Sequence, residues 1–518
     1  MKKKKRYRLL EIYRLQHASR MLLCIVLCAL VIVEWSELKE PFHVISVHSY
    51  SVEVCEIVAV RKTEDDDQDA AQTGKHQKKT KQLYPYAFTV SYVRRTQQHQ
   101  WRCSEVTFHC DNQALCEEWV QVTNEQLSLL TNRPKSLLVY INPFGGKRRG
   151  KRIYEQKVAP MFRLAGIATT VIGEVVCVGG DGMFSEVLHG LVARTQNDHG
   201  VDQNQPDAEL VPCSLRIGII PAGSTDCICF ATVGTNDPVT SALHIVVGDS
   251  QPMDVCSVHH DDVFLRYSVS LLGYGFYGDV LSDSERNRWL GPARYDLAGV
   301  KTFLSHNYYE GTVSFLPAED DVGNPRDKLQ CRSGLFLLVN LNVLMLVSDD
   351  SSDWNEIHGK FIAINAANMS CACPRSPKGL SPFAHLADGN ADLILVRNCS
   401  RLDFFKHLLR HTNKDDQFDH PFVEVHRVRK FRFEPERHIL VSLEDLSEPA
   451  TKTGYSTPLG SWSCDGEILP EVAIQVSVQC QLIRLFARGI EEQQQQQCVS
   501  DDPCTLSALE PTTDLSVD

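Results

Sequence analysis

The chain has 518 residues, and at about 150 residues per domain this length suggests three domains. Hydrophobic residues make up 43% and charged residues 23% of the sequence, as in globular proteins. The net charge of −12 excludes a global attraction to nucleic acid, so we expect no nucleic-acid partner. The 19 cysteines are scattered without regular spacing, which favours reduced thiols.

Residues 1–50 form a basic and then apolar N-terminal segment. Met21–Val33 is a run of 13 apolar residues, which is short for a span of about 30 Å of hydrocarbon. Its length suits the apolar region of a signal peptide, but no small-x-small cleavage site follows it. A signal or anchor is one interpretation of this run, and a buried strand is the other.

Residues 51–132 are predicted to form a small β domain. Three strand-like runs precede an amphipathic helical pattern at 112–130, which contains Trp119. A few strands closed by such a helix resemble a pleckstrin-homology domain, here incomplete because its early strands are not evident. The alternative is a small β domain without a particular ligand.

The remaining chain divides by its periodicity into three regions. Residues 135–250 alternate buried strands with helices, which predicts an α/β nucleotide-binding domain. Residues 251–490 are mainly strands, which predicts a β-rich, sandwich-like domain. Residues 491–518 include a glutamine run and are predicted to be disordered.

Three strand ends of the α/β region stop in glycine-rich turns. These turns are Asn142–Lys151, Gly179–Gly182 and Pro221–Asp226. Ligands of parallel α/β sheets bind beyond the carboxyl ends of the strands, so we expect the turns to meet in one crevice. Glycine lets backbone N–H groups approach a polyanion closely, and helix N-termini favour negative charge. The pattern predicts a cradle for nucleotide phosphates.

Carboxylates in and near these turns have two interpretations each. Asp181 could accept the proton of an acceptor hydroxyl during phosphoryl transfer, or it could cap the helix that follows it. Glu186 could help to hold Mg²⁺ or be a surface carboxylate. Asp226 and Asp465 are further candidates of the same kind.

Several motifs together resemble the diacylglycerol and sphingosine kinase superfamily. They are NPFGG at 142–146, GGDG at 179–182 and SWSCDGE at 461–467. Longer stretches, among them RIGIIPAGSTDC and LIRLFARGIEE, are more closely similar to ceramide kinases, and the likeness covers about residues 52–492. The resemblance implies a site between an α/β domain and a β-rich lipid domain. It also implies that ATP and a divalent cation, Mg²⁺, phosphorylate the primary hydroxyl of ceramide.

The resemblance assigns roles to residues that match the motifs of the family. It implies that Asp181 is the general base. The residues that it places around the nucleotide are Asn142, Pro143, Phe144, Gly145, Gly146, Gly179, Gly180, Gly182, Glu186, Ser224, Thr225, Arg288, Arg294, Asp465, Gly466 and Glu467. The two arginines would neutralise the phosphoryl group, although taken alone they could be surface charges.

The resemblance also implies membrane and regulatory partners. It predicts a cytoplasmic protein bound peripherally to Golgi or plasma membranes, with a pleckstrin-homology domain that meets anionic phosphoinositides. Arg401–Lys414 is a basic amphipathic helix pattern of the kind that calmodulin binds, which would add a response to Ca²⁺, directly or through calmodulin. Core packing explains the apolar face of this helix equally well.

One departure from the family precedes the GGDG motif. Ceramide kinases have a helical, nucleotide-touching segment at this point, whereas here only Gly173 and Glu174 separate Ile172 from Val175. A crossover between parallel neighbours needs about a dozen residues or more, and a two-residue link suits a hairpin. We expect either one continuous strand over 169–180 with one element lost, or a shortened isoform or gene product, and catalytic competence is therefore open.

A second departure concerns cysteines. The CxxxCxxC arrangement of ceramide kinases would begin at Cys331, but Leu335 and Leu338 occupy its later positions. No metal or redox role is therefore carried over.

Rival functions remain. A lipid kinase could act on sphingosine or diacylglycerol instead, and GGDG turns also occur in NAD kinases and phosphofructokinases. A catalytically impaired isoform could act as a lipid-binding regulator.

Overall fold

A computed structural model describes most of the chain. The described residues are 29–35, 47–63, 86–110, 112–144, 148–169, 173–291, 293–318, 354–374, 376–411, 416–436 and 459–491, of which 29–35, 47–51 and 109–110 are described by their backbone only. Several sequence predictions lie outside them, namely those on residues 1–28, the Cys331–Leu338 positions and the tail beyond Glu491. Within the described residues, no helix has the length and apolarity needed to cross a membrane.

The N-terminal unit consists of two small antiparallel sheets and a helix. Its elements are β1 (Ala29–Trp35), β2 (Val47–Glu53), β3 (Ile57–Lys62), β4 (Tyr86–Arg95), β5 (Trp101–Cys110) and α1 (Gln113–Leu129). β1 pairs with β2, and β3, β4 and β5 form the second sheet. The end of the apolar run Met21–Val33 therefore lies in a strand. Asn112 starts α1 because its side chain accepts the N–H of Ala114 at 2.8 Å.

The α/β unit contains a parallel sheet of three consecutive neighbours. Its elements are β6 (Leu137–Ile141), α2 (Gly150–Ile153), a π turn (Tyr154–Val158), α3 (Ala159–Leu164), β7 (Glu174–Gly179), α4 (Asp181–His199), β8 (Arg216–Pro221), α5 (Cys227–Val233) and α6 (Pro238–Val247). β7 pairs in parallel with β6 and with β8. Helices cover these strands, which explains why β7 and β8 are almost continuous apolar runs.

The shortened link crosses the amino end of β6. Ala168 forms an isolated parallel bridge with Ser136, and its bonds to Lys135 and Leu137 lie on the edge of β6 that faces away from β7. At Gly173 a Cβ would lie 2.5 Å from the Ser136 carbonyl oxygen, so the chain passes β6 where only glycine fits.

The expectation of one continuous strand over 169–180 is therefore wrong, because β7 begins at Glu174. The link forms no hairpin either, since β6 and β7 are parallel. The crossover between them runs through the helical segment Gly150–Leu164. The bridge at Ala168 already lies at the amino end of the sheet, where β7 begins. The chain therefore needs no further helix to reach the start of β7. Residues 170–172 lie outside the described part.

The C-terminal unit is rich in antiparallel strands. Its strands are β9 (Gln251–His260), β10 (Val263–Ser268), β11 (Leu271–Gly275), β12 (Tyr309–Pro317), β13 (Asn355–Ala367), β14 (Ala391–Arg397), β15 (Val423–Pro435), β16 (Trp462–Cys464), β17 (Glu467–Ile468) and β18 (Ile474–Leu485). Its helices are α7 (Phe276–Arg286), α8 (Ala293–Ser305) and α9 (Arg401–Arg410). β18 pairs antiparallel with β9 and parallel with β8. This strand joins the α/β and β-rich units in one sheet.

The N-terminal unit is attached to α6 through Trp101. Its backbone N–H donates to the Thr240 hydroxyl at 2.9 Å, and its ring stacks on His244 with centroids 3.8 Å apart. Next to it, Arg488 near the end of the described chain pairs with Glu56 at 2.8 Å and with Asp249 at 2.7 Å. Ion pairs shared among three segments hold the N-terminal unit against the α/β unit.

Candidate active site

The three glycine turns meet at the carboxyl ends of β6, β7 and β8, as expected. A Cβ on Gly223 would lie 2.6 Å from the Cα of Gly180, and a Cβ on Gly179 would lie 3.6 Å from that of Asn142. Backbone bonds lock the turns together: Asn142 N–H donates to Val178 at 3.0 Å, and Ala222 N–H donates to Gly179 at 2.9 Å. Glycine is needed at 180 and 223 because the two backbones touch there.

The first turn is shaped by Asn142. Its side-chain oxygen accepts the N–H of Phe144 at 2.9 Å, which turns the chain as it leaves β6. Pro143 and Phe144 are both exposed. Gly145 and Gly146, which the sequence places around the nucleotide, lie outside the described residues.

Asp181 occupies the first position of α4 but does not cap that helix. The N-cap is Gly180, which makes no side-chain cap bond. Instead, the two carboxylate oxygens of Asp181 accept the N–H groups of Cys227 and Ile228, each at 3.0 Å. Burial raises the pKa of this carboxyl, and the two N–H groups oppose that shift. The Cys227 thiol is a third donor to this carboxylate, and a carboxylate with about four acceptor sites keeps capacity for a further proton.

The third turn is organised by Asp226. Its backbone is left-handed, with φ of 53°, and its carboxylate accepts the Gly223 N–H at 2.9 Å. Burial, together with the negative charge of Asp181, raises its pKa to about 6. Ser224 and Thr225, which lie between Gly223 and Asp226, are exposed. Asp226 thus holds the loop that presents the two hydroxyl side chains.

Asp465 reaches the site from the far end of the chain. Its carboxylate accepts the backbone N–H groups of Val269, Ser270 and Leu271 at 2.8, 3.0 and 2.9 Å. It also accepts the hydroxyls of Ser268 and Ser270, at 3.0 and 2.6 Å. The chain between β10 and β11 therefore wraps around this one carboxylate, which we name the Asp465 clasp. Sequence reasoning missed the clasp serines, although their Ser-x-Ser spacing puts both on one side of an extended chain.

Asp181 and Asp465 lie near each other: Cys227, which donates to Asp181, and Cys371, whose thiol donates to the Ser270 carbonyl, pack against one apolar cluster. The negative charge of Asp465 also contributes to the raised pKa of Asp181. Two partly exposed cysteines respond to both acids: desolvation raises the pKa of the Cys227 and Cys371 thiols, and the charges of Asp181 and Asp465 raise both further. Carboxylates from the α/β unit and from the β-rich unit therefore converge where the two units meet.

Arg266 is a further residue of the cleft that sequence reasoning missed. Its guanidinium lies 3.6 Å from the carboxylate of Glu186 and donates to the Ser185 hydroxyl at 3.4 Å. Its Nε is buried and has no hydrogen-bond partner among the described residues. A single arginine within a strand carries no motif, so only the packing of β10 beside α4 reveals it.

Arg288 and Arg294 converge on Glu285 beside the β16–β17 hairpin. Arg294 lies 3.0 Å from the Glu285 carboxylate, and Arg288 also pairs with it. The pKa of Arg288 is raised first by Glu285 and to a lesser extent by Glu467. Gly466, with φ of 89°, makes the hairpin turn between Asp465 and Glu467. The hairpin thus links the clasp to the arginines.

Three domain-family profiles match the sequence. The ceramide kinase PH domain matches residues 15–123, the diacylglycerol kinase catalytic domain matches residues 168–258, and the ceramide kinase C-terminal domain matches residues 270–502. The structure agrees with this order of an N-terminal PH domain, an α/β domain with a parallel sheet and a β-rich domain.

Curated relatives share most of their length with this chain. Human ceramide kinase is 55% identical over 484 residues, which cover 85% of this chain and 89% of that protein. The mouse ceramide kinase is 52% identical over 485 residues, covering 86% and 90%. The human ceramide kinase-like protein is 30% identical over 430 residues, covering 73% of each.

Proposed function

The chain belongs to the ceramide kinase family, and from this premise we propose that it transfers the γ-phosphoryl group of ATP to the primary hydroxyl of ceramide, giving ceramide 1-phosphate. The observation that carries the proposal is the meeting of three glycine turns around the Asp181 carboxylate. Phosphoryl transfer needs positioning and charge stabilisation above all, and both are properties of such a cleft.

Asp181 acts as the general base. The ceramide hydroxyl oxygen attacks the γ-phosphorus, the bond from that phosphorus to the β,γ-bridging oxygen breaks, and ADP leaves. The hydroxyl proton passes to a free lone pair of the Asp181 carboxylate. Its raised pKa makes the ionised carboxylate a better proton acceptor than an ordinary Asp.

The nucleotide phosphates lie over the glycine turns. Two features support this proposal: glycine lets the backbone N–H groups of the turns approach a polyanion closely, and the Ser224 and Thr225 side chains are exposed beside them. We assign to ATP the residues Asn142, Pro143, Phe144, Gly145, Gly146, Gly179, Gly180, Gly182, Ser224 and Thr225. The Arg266 guanidinium, with its unpartnered Nε, supplies positive charge next to them.

Mg²⁺ fits the donor set of the cleft. This ion is usually held by one or two carboxylates together with substrate phosphates, and Glu186 offers an exposed carboxylate on the first turns of α4. When bound, Mg²⁺ would neutralise phosphate charge. Glu186 would orient the metal–nucleotide complex toward Asp181.

The remaining predicted residues act from the β-rich unit. Most acceptor sites of the Asp465 carboxylate are taken by its own chain, so we infer that Asp465 positions the hairpin. Gly466 and Glu467 close the cleft, and Arg288 and Arg294 approach the nucleotide after exchanging Glu285 for phosphate.

Membrane attachment and regulation complete the proposal. The PH domain brings the protein to anionic phosphoinositides on Golgi or plasma membranes, and the cytoplasmic face supplies ATP. Calmodulin, and through it Ca²⁺, is proposed to act on the helix that begins at Arg401, which it could enclose only after Phe404 and His407 leave the core.

A second candidate function is a catalytically impaired, lipid-binding form. The observation that favours it is the short link at Gly173, which leaves out the nucleotide-touching segment of the family. Such a form would bind ceramide without transferring phosphate.

Transfer of labelled phosphate from ATP to ceramide in mixed micelles tests the proposal. The wild-type chain should produce ceramide 1-phosphate, and Asp181→Asn should not. Ceramide binding without transfer would support the impaired form instead. Parallel assays with sphingosine and diacylglycerol decide the acceptor.

A further inference from the structure

Two helices of the β-rich unit each display a stripe of exposed, large apolar side chains. On α8 the stripe is Leu297, Val300 and Leu304, and on α9 it is Leu402, Phe405 and Leu409. Both have the spacing i, i+3, i+7, which places the three side chains on one face of a helix. Scattered apolar residues are normal on a protein surface, whereas a contiguous patch marks an interaction site.

The two stripes belong to one surface, which we name the α8–α9 surface. Phe303 of α8 lies between the stripes and the core, with ring centroids 5.9 Å from Phe405 and 6.3 Å from Phe404. Just before α8, Trp289 is exposed as well. The surface thus extends across both helices, and the turn before α8 exposes a further large ring.

The apolar core beneath this surface reaches the candidate active site. Phe303 and Phe404 pack in a cluster that also contains Leu271 and Cys371. The Leu271 N–H donates to Asp465, and the pKa of the Cys371 thiol responds to both Asp465 and Asp181. An acyl chain entering from the α8–α9 surface would therefore meet apolar side chains up to the cleft.

The charge around the surface differs in sign from that of the whole protein. Apart from Arg288 and Arg294, which we assign to ATP, residues 283–305 and 401–410 contain five Arg or Lys and four Asp or Glu, in a chain whose net charge is −12. Apolar side chains bordered by basic ones are the pattern of segments that lie in the interface of an anionic bilayer.

A protein partner that wraps around α9 fits less well. Phe404 and His407 of this helix are buried, and Phe404 packs edge-on against Phe276 with centroids 5.0 Å apart. Calmodulin would have to pull α9 out of the core to enclose its apolar face, whereas a bilayer needs only the side that is already exposed.

We propose that the α8–α9 surface docks on an anionic lipid bilayer and is the entry side for the acceptor lipid. The proposal rests on the proposed function, because a ceramide acceptor is resident in membranes. It gives the protein a second membrane contact in addition to the PH domain.

The test replaces one residue of each stripe, Val300→Ser with Leu402→Ser, in the full chain. These side chains are 60% and 64% exposed, so the fold should tolerate the change. The matched control is Val263→Ser with Leu129→Ser, which are 57% and 68% exposed elsewhere. Binding is measured by co-sedimentation with phosphatidylcholine vesicles containing about 30% phosphatidylserine. Kinase activity is measured on ceramide in these vesicles and in detergent micelles.

The α8–α9 variant should bind the vesicles at least about tenfold more weakly and lose vesicle activity in proportion, while its micelle activity and melting temperature stay unchanged. The control should match the wild type. Equal vesicle binding by all three proteins would overturn the proposal. So would a change in oligomeric state or in Ca²⁺–calmodulin binding with vesicle binding unaltered. If the wild type transferred no phosphate in micelles, the catalytic proposal would be refuted. The vesicle-binding assay would still test the docking proposal, because it does not depend on catalysis.

Discussion

Asp181 belongs to the α/β unit and Asp465 to the β-rich unit, and although they lie near each other, their surroundings differ. Asp181 accepts two backbone N–H groups, one on each oxygen, and a bond from the Cys227 thiol, which leaves acceptor capacity for a further proton. Asp465 accepts three N–H groups and two hydroxyls, so its acceptor capacity is nearly filled. The comparison teaches that the number of occupied lone pairs separates a carboxylate suited to chemistry from one that holds a loop.

The largest expected effect is on catalysis. Asp181→Asn should lower kcat by about 10²- to 10⁴-fold, because the amide cannot accept the proton of the acceptor hydroxyl. Stability should fall by only about 1–3 kcal/mol, since the amide nitrogen faces one N–H that has lost its acceptor. Micelle kinetics and thermal unfolding measure the two quantities. Unchanged kcat would remove Asp181 from the mechanism.

At the Asp465 clasp we expect the main effect on stability rather than on catalysis. Asp465→Asn should destabilise the protein by about 2–4 kcal/mol, because an amide nitrogen replaces an acceptor among several donors. Urea unfolding measures this change, and Ser268→Ala, which removes one donor, should cost less. If Asp465→Asn were as stable as the wild type and yet inactive, Asp465 would contact the nucleotide directly.

The short link offers a test of the scaffold that carries Asp181. Gly173→Ala should destabilise the protein by about 1–3 kcal/mol, since its Cβ would meet the Ser136 carbonyl. Gly190→Ala is the control: it lies in α4 with open space around its Cβ and should stabilise by about 0.5–1 kcal/mol. Equal unfolding curves for the two variants would show that the chain does not cross β6 at Gly173.

The smallest effect is a shift in pH dependence. A base must be ionised, so kcat should fall as the pH drops through the raised pKa of Asp181, placing the acid limb of the profile above the ordinary Asp range. Because the charge of Asp465 contributes to that rise, Asp465→Asn should move the limb to lower pH. Measurement of kcat against pH checks both statements, and an identical limb in the variant would deny the coupling.

The pH dependence of stability has the opposite direction from the pH dependence of kcat. A carboxyl whose folded pKa is raised favours the folded state when it is protonated. The contribution of Asp226, whose pKa rises to about 6, is therefore most favourable below the unfolded Asp pKa and is lost as the pH rises through 6. Asp226→Asn should flatten this part of the stability profile.

Much of the fold could be predicted from local patterns. Apolar runs that end in glycine predicted β6, β7 and β8 and the convergence of their turns, because strand ends of a parallel sheet share one edge. The prediction for the link at Gly173 was wrong because the rule on crossover length was applied to the residues between 172 and 175. The crossover between the parallel strands β6 and β7 lies earlier, in the helical segment Gly150–Leu164. Arg266 and the clasp serines were missed because neither carries a motif that stands out from its strand.

The amino-acid sequence by itself determined the family, the order of the three units and the candidate base, since these reside in contiguous residues whose chemistry is readable in isolation. Only the tertiary structure decided which carboxylate keeps free lone pairs, how the chain passes Ser136 and that two apolar stripes adjoin. Those properties depend on contacts between distant residues, as between Ser268 and Asp465, which are 197 positions apart, and no local pattern specifies such a meeting.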